Sequence, residues 1–263
     1  MAPPLLAPVF VEDVPAMAKM CADSFLTDRQ TQLKDLGKER YDMEAMSLQS
    51  LPLYILNPKI ALIKAVNDKG EIMGYIAWAF RGVELSEIPQ IEGAPPKRKP
   101  LSDEERKAED EKEAAEQKIE DEKKRLEEEE KKANGIVEEE DLAKKLNDME
   151  SENMNEWMEK LMPEGTKCMF VAGFHVDPAH QRKGAGLALL KWGTDICDKM
   201  GLFAWVHSSE GGYAAYKKAG FEEIGKLDVN LDDYARAPPP PEVGGDIWGH
   251  YVLTYMKYTG KLA

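Results

Sequence analysis

The chain has 263 residues, 43% of them hydrophobic and 32% charged, with a formal net charge of −14. That length allows one large domain or two small ones, and the acidic balance excludes a duplex nucleic-acid binder, whose phosphates need Lys and Arg. No stretch approaches the ~20 apolar residues of a membrane helix, so no membrane association is expected. The N-terminal "MAPPLLAPVFVEDVP" lacks the basic start of a secretory signal. Cys21, Cys168 and Cys197 are far apart and form no CxxC spacing, which fits a reduced, cytoplasmic protein.

In chain order, "LAPVFV" (6–11) predicts a short strand and "EDVPAMAKMCADSF" (12–25) a helix, with Val14, Met17, Cys21 and Phe25 at helical spacing. Asp13 before Pro15 marks that helix's start. A second helical pattern runs through residues 36–56. "IALIKAV" (60–66) and "EIMGYIAWAF" (71–80) predict a β-hairpin, because Asn67, Asp68 and Gly70 supply turn chemistry between two β-rich runs.

After "APPKRKP" (94–100) the composition becomes almost wholly Glu, Lys, Arg and Ala, and most of the excess negative charge falls between residues 97 and 160. Ser102 with Glu105 has capping-box spacing, and Asn134-Gly135 is a stop signal. An amphipathic stretch follows, with Leu142, Leu146, Met149, Trp157 and Leu161, ending at Pro163. The simplest expectation is a helical hairpin inserted between two strands; a disordered polyampholyte over 101–135 is the alternative.

Order returns with a strand over 167–176 and a helix over 186–200. A strand "LFAWVH" (202–207), a helix over 210–219 and "FEEIGKL" (221–227) come next. "RAPPPPEVGG" (236–245) is a stiff loop of polyproline character, and "HYVLTYMKY" (250–258) alternates as a last strand. The order β-α-α-β-β-β-α-β-α-β-β, leaving the insert aside, predicts one α/β (α+β) domain over 1–263 with a mixed central sheet flanked by helices. The charged helical insert then covers 95–163, between the third and fourth strands.

The turn between strand and helix, "HVDPAHQRKGAGLALL" (175–190), is unusual in placing Gly184 and Gly186 where the helix begins, a site that Ser or Asp would cap better. A Walker A loop needs Lys and Ser/Thr after its last glycine, but Leu187 follows Gly186. The dinucleotide fingerprint needs a third glycine where Leu189 stands. What fits is Q/R-x-x-G-x-G/A in Gln181-Arg182-Lys183-Gly184-Ala185-Gly186, after a strand ending "FHVDP" and before "SSEGGYAAYKKAGFEEIG" (208–225).

This pattern resembles the GNAT superfamily of acyl-CoA-dependent N-acyltransferases, over residues 167–227. The resemblance implies the GNAT fold, with acetyl-CoA as co-substrate and no metal. A helix N-terminus offers orphan N–H groups and partial positive charge, which suit a pyrophosphate. The cofactor-binding set implied is the amides of Arg182, Lys183, Gly184, Ala185, Gly186 and Leu187, with Gln181 opening the motif. The main chain of Phe174 to Val176 is implied to pair with the pantetheine as a short β-augmentation. Ser209 stands where the family often has a cofactor-touching Asn.

Tyr216, four residues before Gly220-Phe221, matches the family's general-acid tyrosine, with aromatic packing as the plain alternative. The base is less defined, since "CMFVAGF" (168–174) holds no carboxylate. His175 is a candidate, although alternation turns it away from Phe174 and Val176 and suits a structural histidine as well. His207 at the end of the next strand is a second candidate. Asp177 suits a loop cap. Met43, Met46, Tyr54, Trp78 and Trp248 line either an acceptor cleft or the core. The resemblance implies acetyl transfer to a primary amine of a small molecule, by direct attack in a ternary complex. The alternative is a GNAT-fold protein that binds acyl-CoA without turnover, or that reaches a protein partner through the 101–162 hairpin.

Overall fold

The computed structural model describes residues 3–99, 140–241 and 243–261, together with part of the stretch 105–126. Two compact units emerge: residues 1–97 with 142–263, and residues 98–141. In the second unit the described residues between 105 and 126 are helical and exposed. The expected stop at Asn134-Gly135, and with it the turn of the hairpin, lies outside the described residues.

The first unit is built on a seven-stranded mixed sheet flanked by helices. β1 (Leu5–Pro8) is followed by α1 (Val14–Ser24), α2 (Arg29–Lys34) and α3 (Met43–Leu56), and then by β2 (Ile60–Val66) and β3 (Ile72–Arg81). After the 98–141 segment come α4 (Leu142–Leu161), β4 (Cys168–Val176), α5 (Ala185–Met200) and β5 (Phe203–Ser208). α6 (Glu210–Lys218), β6 (Glu222–Asn230) and β7 (His250–Thr259) complete it. The spatial order is β1-β2-β3-β4-β5-β7-β6, antiparallel throughout except for the β4–β5 pair.

Local chemistry explains most boundaries. In the β2–β3 turn, Asn67 Oδ1 accepts the N–H groups of Lys69 (3.0 Å) and Glu71 (2.9 Å), while Gly70 takes φ +80°. α3 starts at Asp42, whose carboxylate accepts Ala45 N–H at 2.9 Å, six residues after the start of the helical pattern read from 36. Asp13 precedes α1 as expected but does not cap it. Its carboxylate instead accepts Phe10 N–H (2.8 Å) and pairs with Lys64 (2.5 Å). α2 has no counterpart in the sequence reading; its one local signal is Asp28, which caps Thr31 N–H at 2.9 Å.

The helices cover both faces of the sheet. On one, Leu189, Leu190, Ile196 and Cys197 of α5 and Tyr216 of α6 pack on Ile63, Ile76, Trp78, Val206 and Met256. On the other, α1 and α3 bring Met17, Cys21, Leu51 and Ile55 to Leu62, Tyr75 and Ala79. Farther along that second face, Leu33 of α2 and Leu146 of α4 join Tyr251 and Leu253 of β7, while Trp157 of α4 lies against Tyr255 and Trp205. α4, read from sequence as the second arm of the insert, thus packs into the first unit.

Candidate active site at the strand gap

β4 and β5 run parallel but are joined through only three residue pairs, Cys168–Phe203, Met169–Ala204 and Phe170–Trp205. Beyond Phe170, β4 keeps pairing with β3 as far as Val176–Gly74, and β5 keeps pairing with β7 as far as Ser208–Thr254. The two strands therefore part, leaving the β5-side edge of 171–176 turned to the gap. A bulge helps to set this edge. Val171 pairs with Trp78 and Gly173 with Ala77, so Ala172 is the extra residue on β4. Val171, Phe174 and Val176 then pack on the α5 side, and His175 points to the other.

The turn after β4 is shaped by its own residues. Asp177 Oδ1 accepts Ala179 N–H at 2.7 Å and caps the Pro178–His180 turn, as its position predicts. Arg182 then takes φ +61° and Gly184 φ +92°. Left-handed residues on both sides of Lys183 give the turn a backbone geometry of the kind that can present N–H groups to an anion. α5 begins with Ala188 N–H on Gly184 C=O (3.0 Å), so the N–H groups of Ala185, Gly186 and Leu187 have no intrahelical partner. Gln181, Arg182, Lys183 and Gly184 are exposed, Ala185 is buried, and Gly186 and Leu187 are half-buried.

The two glycines have different reasons. A Cβ on Gly184 would meet nothing closer than Pro4 at 3.9 Å, so its glycine serves backbone conformation and leaves open space in front of the turn. A Cβ on Gly186 would lie 3.0 Å from Phe174 Cζ and 3.3 Å from Val176 Cγ2. Gly186 thus seats the helix on the strand, while its N–H remains one of the unpaired groups at the start of α5.

Tyr216 stands on the α5 side of the gap. It is 3% exposed, with its ring edge-on to Phe174 (5.5 Å) and Phe221 (5.4 Å). Burial raises its phenol pKa, so the group keeps its proton at any physiological pH. Ser209 heads α6 without a side-chain cap bond, and its carbonyl receives Gly212 N–H (3.1 Å), Tyr213 N–H (3.2 Å) and Ser208 Oγ–H (2.9 Å). The structure thus gathers Phe174, Val176, Gly186 and Tyr216 in one place, with the 181–185 turn at the start of the same helix.

His175 is not part of that gathering. It sits against Tyr75 (rings 4.9 Å apart) and Phe25 (5.8 Å), with Ser24 Oγ 3.4 Å from Nδ1 and Cys21 Sγ 3.8 Å from Nε2. Burial lowers its pKa to about 4, so it is neutral at physiological pH. It is half-buried among these side chains. Trp78 and Trp248 are core residues, at 0% and 1% exposure, whereas Met46 is exposed.

Sequence reasoning missed a polar group on the α2–α4 side. Lys34 and Glu150 form a buried ion pair at 2.6 Å; Gln30 donates to the other carboxylate oxygen of Glu150. Arg29 donates to Glu210 (2.8 Å) and to the carbonyls of Trp248 (2.6 Å) and His250 (2.8 Å), tying α2 to α6 and β7. These partners are more than a hundred residues apart, so no local pattern marks them.

Comparison with known proteins bears on this frame. Residues 150–221 match the family model described as acetyltransferase (GNAT) family. No curated protein matches by sequence. Among solved structures, the chain is similar to arylalkylamine N-acetyltransferase 2 from Aedes aegypti, with TM-score 0.53 and 13% identity over 97% of this chain and 98% of that one. It is also similar to Drosophila melanogaster polyamine N-acetyltransferase, an enzyme that forms N-acetylagmatine, with TM-score 0.51 and 14% identity over 97% and 99%. A mosquito arylalkylamine N-acetyltransferase-like protein, 5b, gives TM-score 0.50 and 16% identity over 97% and 99%. At such identities the structural likeness concerns the fold, and the family match concerns the gap, the glycine turn and α6. Residues 150–221 therefore match the GNAT acetyltransferase family, and the sheet and helices around them have the fold of these acetyltransferases.

Proposed function

We propose that this protein is an acetyl-CoA-dependent N-acetyltransferase whose acceptor is the primary amine of a small molecule. The observation that carries the reading is the parting of β4 from β5 directly before a helix whose first N–H groups are unpaired and flanked by Arg182 and Lys183. The pyrophosphate of the donor suits the 182–187 amides. The exposed edge of Phe174–Val176 suits a pantetheine amide, which pairs with main chain as an added strand would. The amine attacks the thioester carbonyl directly, a carbon–nitrogen bond forms and the carbon–sulfur bond breaks. Tyr216, protonated and on the donor side of the gap, supplies the leaving thiolate with a proton. The solved relatives named for arylalkylamines and for a polyamine support an amine acceptor.

A cytoplasmic setting fits Cys21, Cys168 and Cys197, all free and buried. The test is release of free thiol from acetyl-CoA with a panel of primary amines, alongside direct measurement of acetyl-CoA binding. Turnover with at least one amine supports the reading, and tight binding without turnover on any amine defeats it.

That second outcome is the rival reading, an acyl-CoA binder that acts as a regulatory module. It is favoured by one observation: β4 has no carboxylate, and its one histidine, His175, is held among Tyr75, Phe25, Ser24 and Cys21. If the charged segment is an interaction arm for a protein partner, the deletion that isolates it is 98–141, because α4 belongs to the core of the first unit.

A further inference from the structure

Three buried side-chain nitrogens lack a hydrogen-bond partner among the described residues: His180 Nδ1, Trp205 Nε1 and His207 Nε2. Two of the three lie together. Trp205 and His207 are two apart on β5, so alternation puts them on one face of the sheet. It is the face covered by α2 and α4, opposite the one that holds Tyr216. Trp205 is also the last β5 residue paired with β4, and His207 is the first residue on the same face beyond the parting.

The side chains around these nitrogens are flat. Phe170 stacks on Trp205 at 5.8 Å, His207 stacks on Tyr255 at 4.5 Å, and Tyr255 stacks on Trp157 of α4 at 4.4 Å. Polar groups nearby are already satisfied: Tyr255 Oη donates to Asn153 (2.9 Å), and Lys34 and Glu150 hold each other. A buried polar nitrogen left unpaired loses the hydrogen bonds it makes in water, so two such atoms on one face of β5, at and just beyond its parting from β4, point to a ligand that satisfies both. An indole N–H can only donate; a neutral imidazole nitrogen can accept. Burial and the charge of Lys34 hold the His207 pKa at about 4, which leaves its resting ring neutral and able to accept.

We infer that Trp205 and His207 are the seat of the acceptor, a primary amine with a flat, mostly apolar body that carries one hydrogen-bond acceptor. The inference rests on the transferase reading. His207 Nε2 accepts an amine N–H and so aims the nitrogen lone pair at the thioester; Trp205 Nε1 donates to the acceptor atom on the body. As the carbon–nitrogen bond forms, the nitrogen becomes cationic and strongly acidic, and its proton passes to His207. The thiolate takes its proton from Tyr216 on the opposite face, and imidazolium and phenolate return to neutral through solvent.

The experiment uses the full chain with tyramine, 2-phenylethylamine and 1,4-diaminobutane as probes. Wild type is expected to rank them in that order by kcat/KM. His207→Phe keeps a ring on Tyr255 and removes both nitrogens, and is expected to lose about 100-fold in kcat/KM with acetyl-CoA affinity within about twofold. His207→Gln restores a polar atom and regains part of the loss. Trp205→Phe erases the preference for tyramine over 2-phenylethylamine. Wild-type kcat/KM in His207→Phe overturns the inference. The histidine ¹⁵N resonances, followed as tyramine is added in the presence of coenzyme A, give a readout independent of turnover. A shifted His207 Nε2 signal supports the seat, and an unmoved one overturns it. Failure of the wild type to bind acetyl-CoA defeats the transferase reading instead.

Discussion

Gly193 in α5 faces the indole of Trp78 so closely that a Cβ there would lie 2.1 Å from Trp78 Cε2 and 2.3 Å from Cζ2. The indole is fully buried, and its Nε1–H donates to Leu189 C=O at 3.3 Å. Helix and sheet come especially close at this small residue.

Gly193→Ala therefore sets two effects against each other. Alanine gains about 1 kcal/mol of helix propensity, but overpacking a rigid core costs about 1–3 kcal/mol and here displaces a tryptophan with no space to yield. The variant is expected to melt several degrees below wild type. A scanning calorimetry trace that shows an equal or higher Tm would contradict the packing described.

Gly184 separates conformation from charge. Gly184→Ala meets open space but must hold φ +92°, so it is expected to lose about 1–2 kcal/mol of stability. Gly184→Asp adds to this a carboxylate in front of the α5 N-terminus, and acetyl-CoA affinity should fall about tenfold or more below that of the alanine variant. Isothermal titration of both variants checks this, and equal affinities would sink the pyrophosphate seat.

Tyr216→Phe removes one hydroxyl while keeping the ring that touches Phe174 and Phe221. We expect kcat to drop about 10²-fold or more with little change in acetyl-CoA binding. Steady-state kinetics with a saturating amine distinguish this from packing, for which kcat would stay near the wild-type value.

The Lys34–Glu150 pair makes a stability prediction with a definite pH sign. Burial raises the Glu150 pKa, and Lys34 is the main influence opposing that rise. Lys34→Met leaves the carboxylate buried without its cation and should cost about 3–5 kcal/mol at neutral pH. Its folded pKa then stands farther above the unfolded value, so the lost stability returns as pH falls toward 4.5 and the group takes a proton. Lys34→Met/Glu150→Leu should recover much of the loss at pH 7. Urea unfolding of the three proteins at pH 5 and 7 tests both statements.

His175 works in the opposite direction. Its folded pKa, about 4, lies below the ordinary 6.5 because burial disfavours the imidazolium. Stability from this group is complete above pH 6.5 and is lost as pH falls toward 4, where only the unfolded chain gains the proton. His175→Gln should flatten the slope of Tm against pH across that window. An unchanged slope would mean that His175 is solvated.

Some of this was legible in the sequence because the causes are local. The strand, cap and helix of 168–200 announce themselves through an apolar run, Asp177-Pro178 and left-handed glycine. The side-chain direction of His175 follows from alternation alone, and the structure agrees. α2 escaped because a six-residue helix has too few turns to show a period, and Asp28 is its one mark. Gly186 was legible as part of the motif, but Phe174, which a Cβ there would crowd, lies twelve positions earlier. Glu150 looked like one more charge in an acidic stretch; only the fold reveals that Lys34 and Gln30 enclose it.

The three-pair ladder between β4 and β5 has a mechanical meaning as well. On one side of it stand β1 to β4, on the other β5 to β7, each with its own continuous hydrogen bonding. In its hydrogen bonding the sheet is two halves joined along a narrow seam, and the packing of α5 spans both. A molecule that spanned the crevice would add rungs to this ladder, so its binding would be linked to the opening of the seam, and amide exchange along 171–176 would report that linkage.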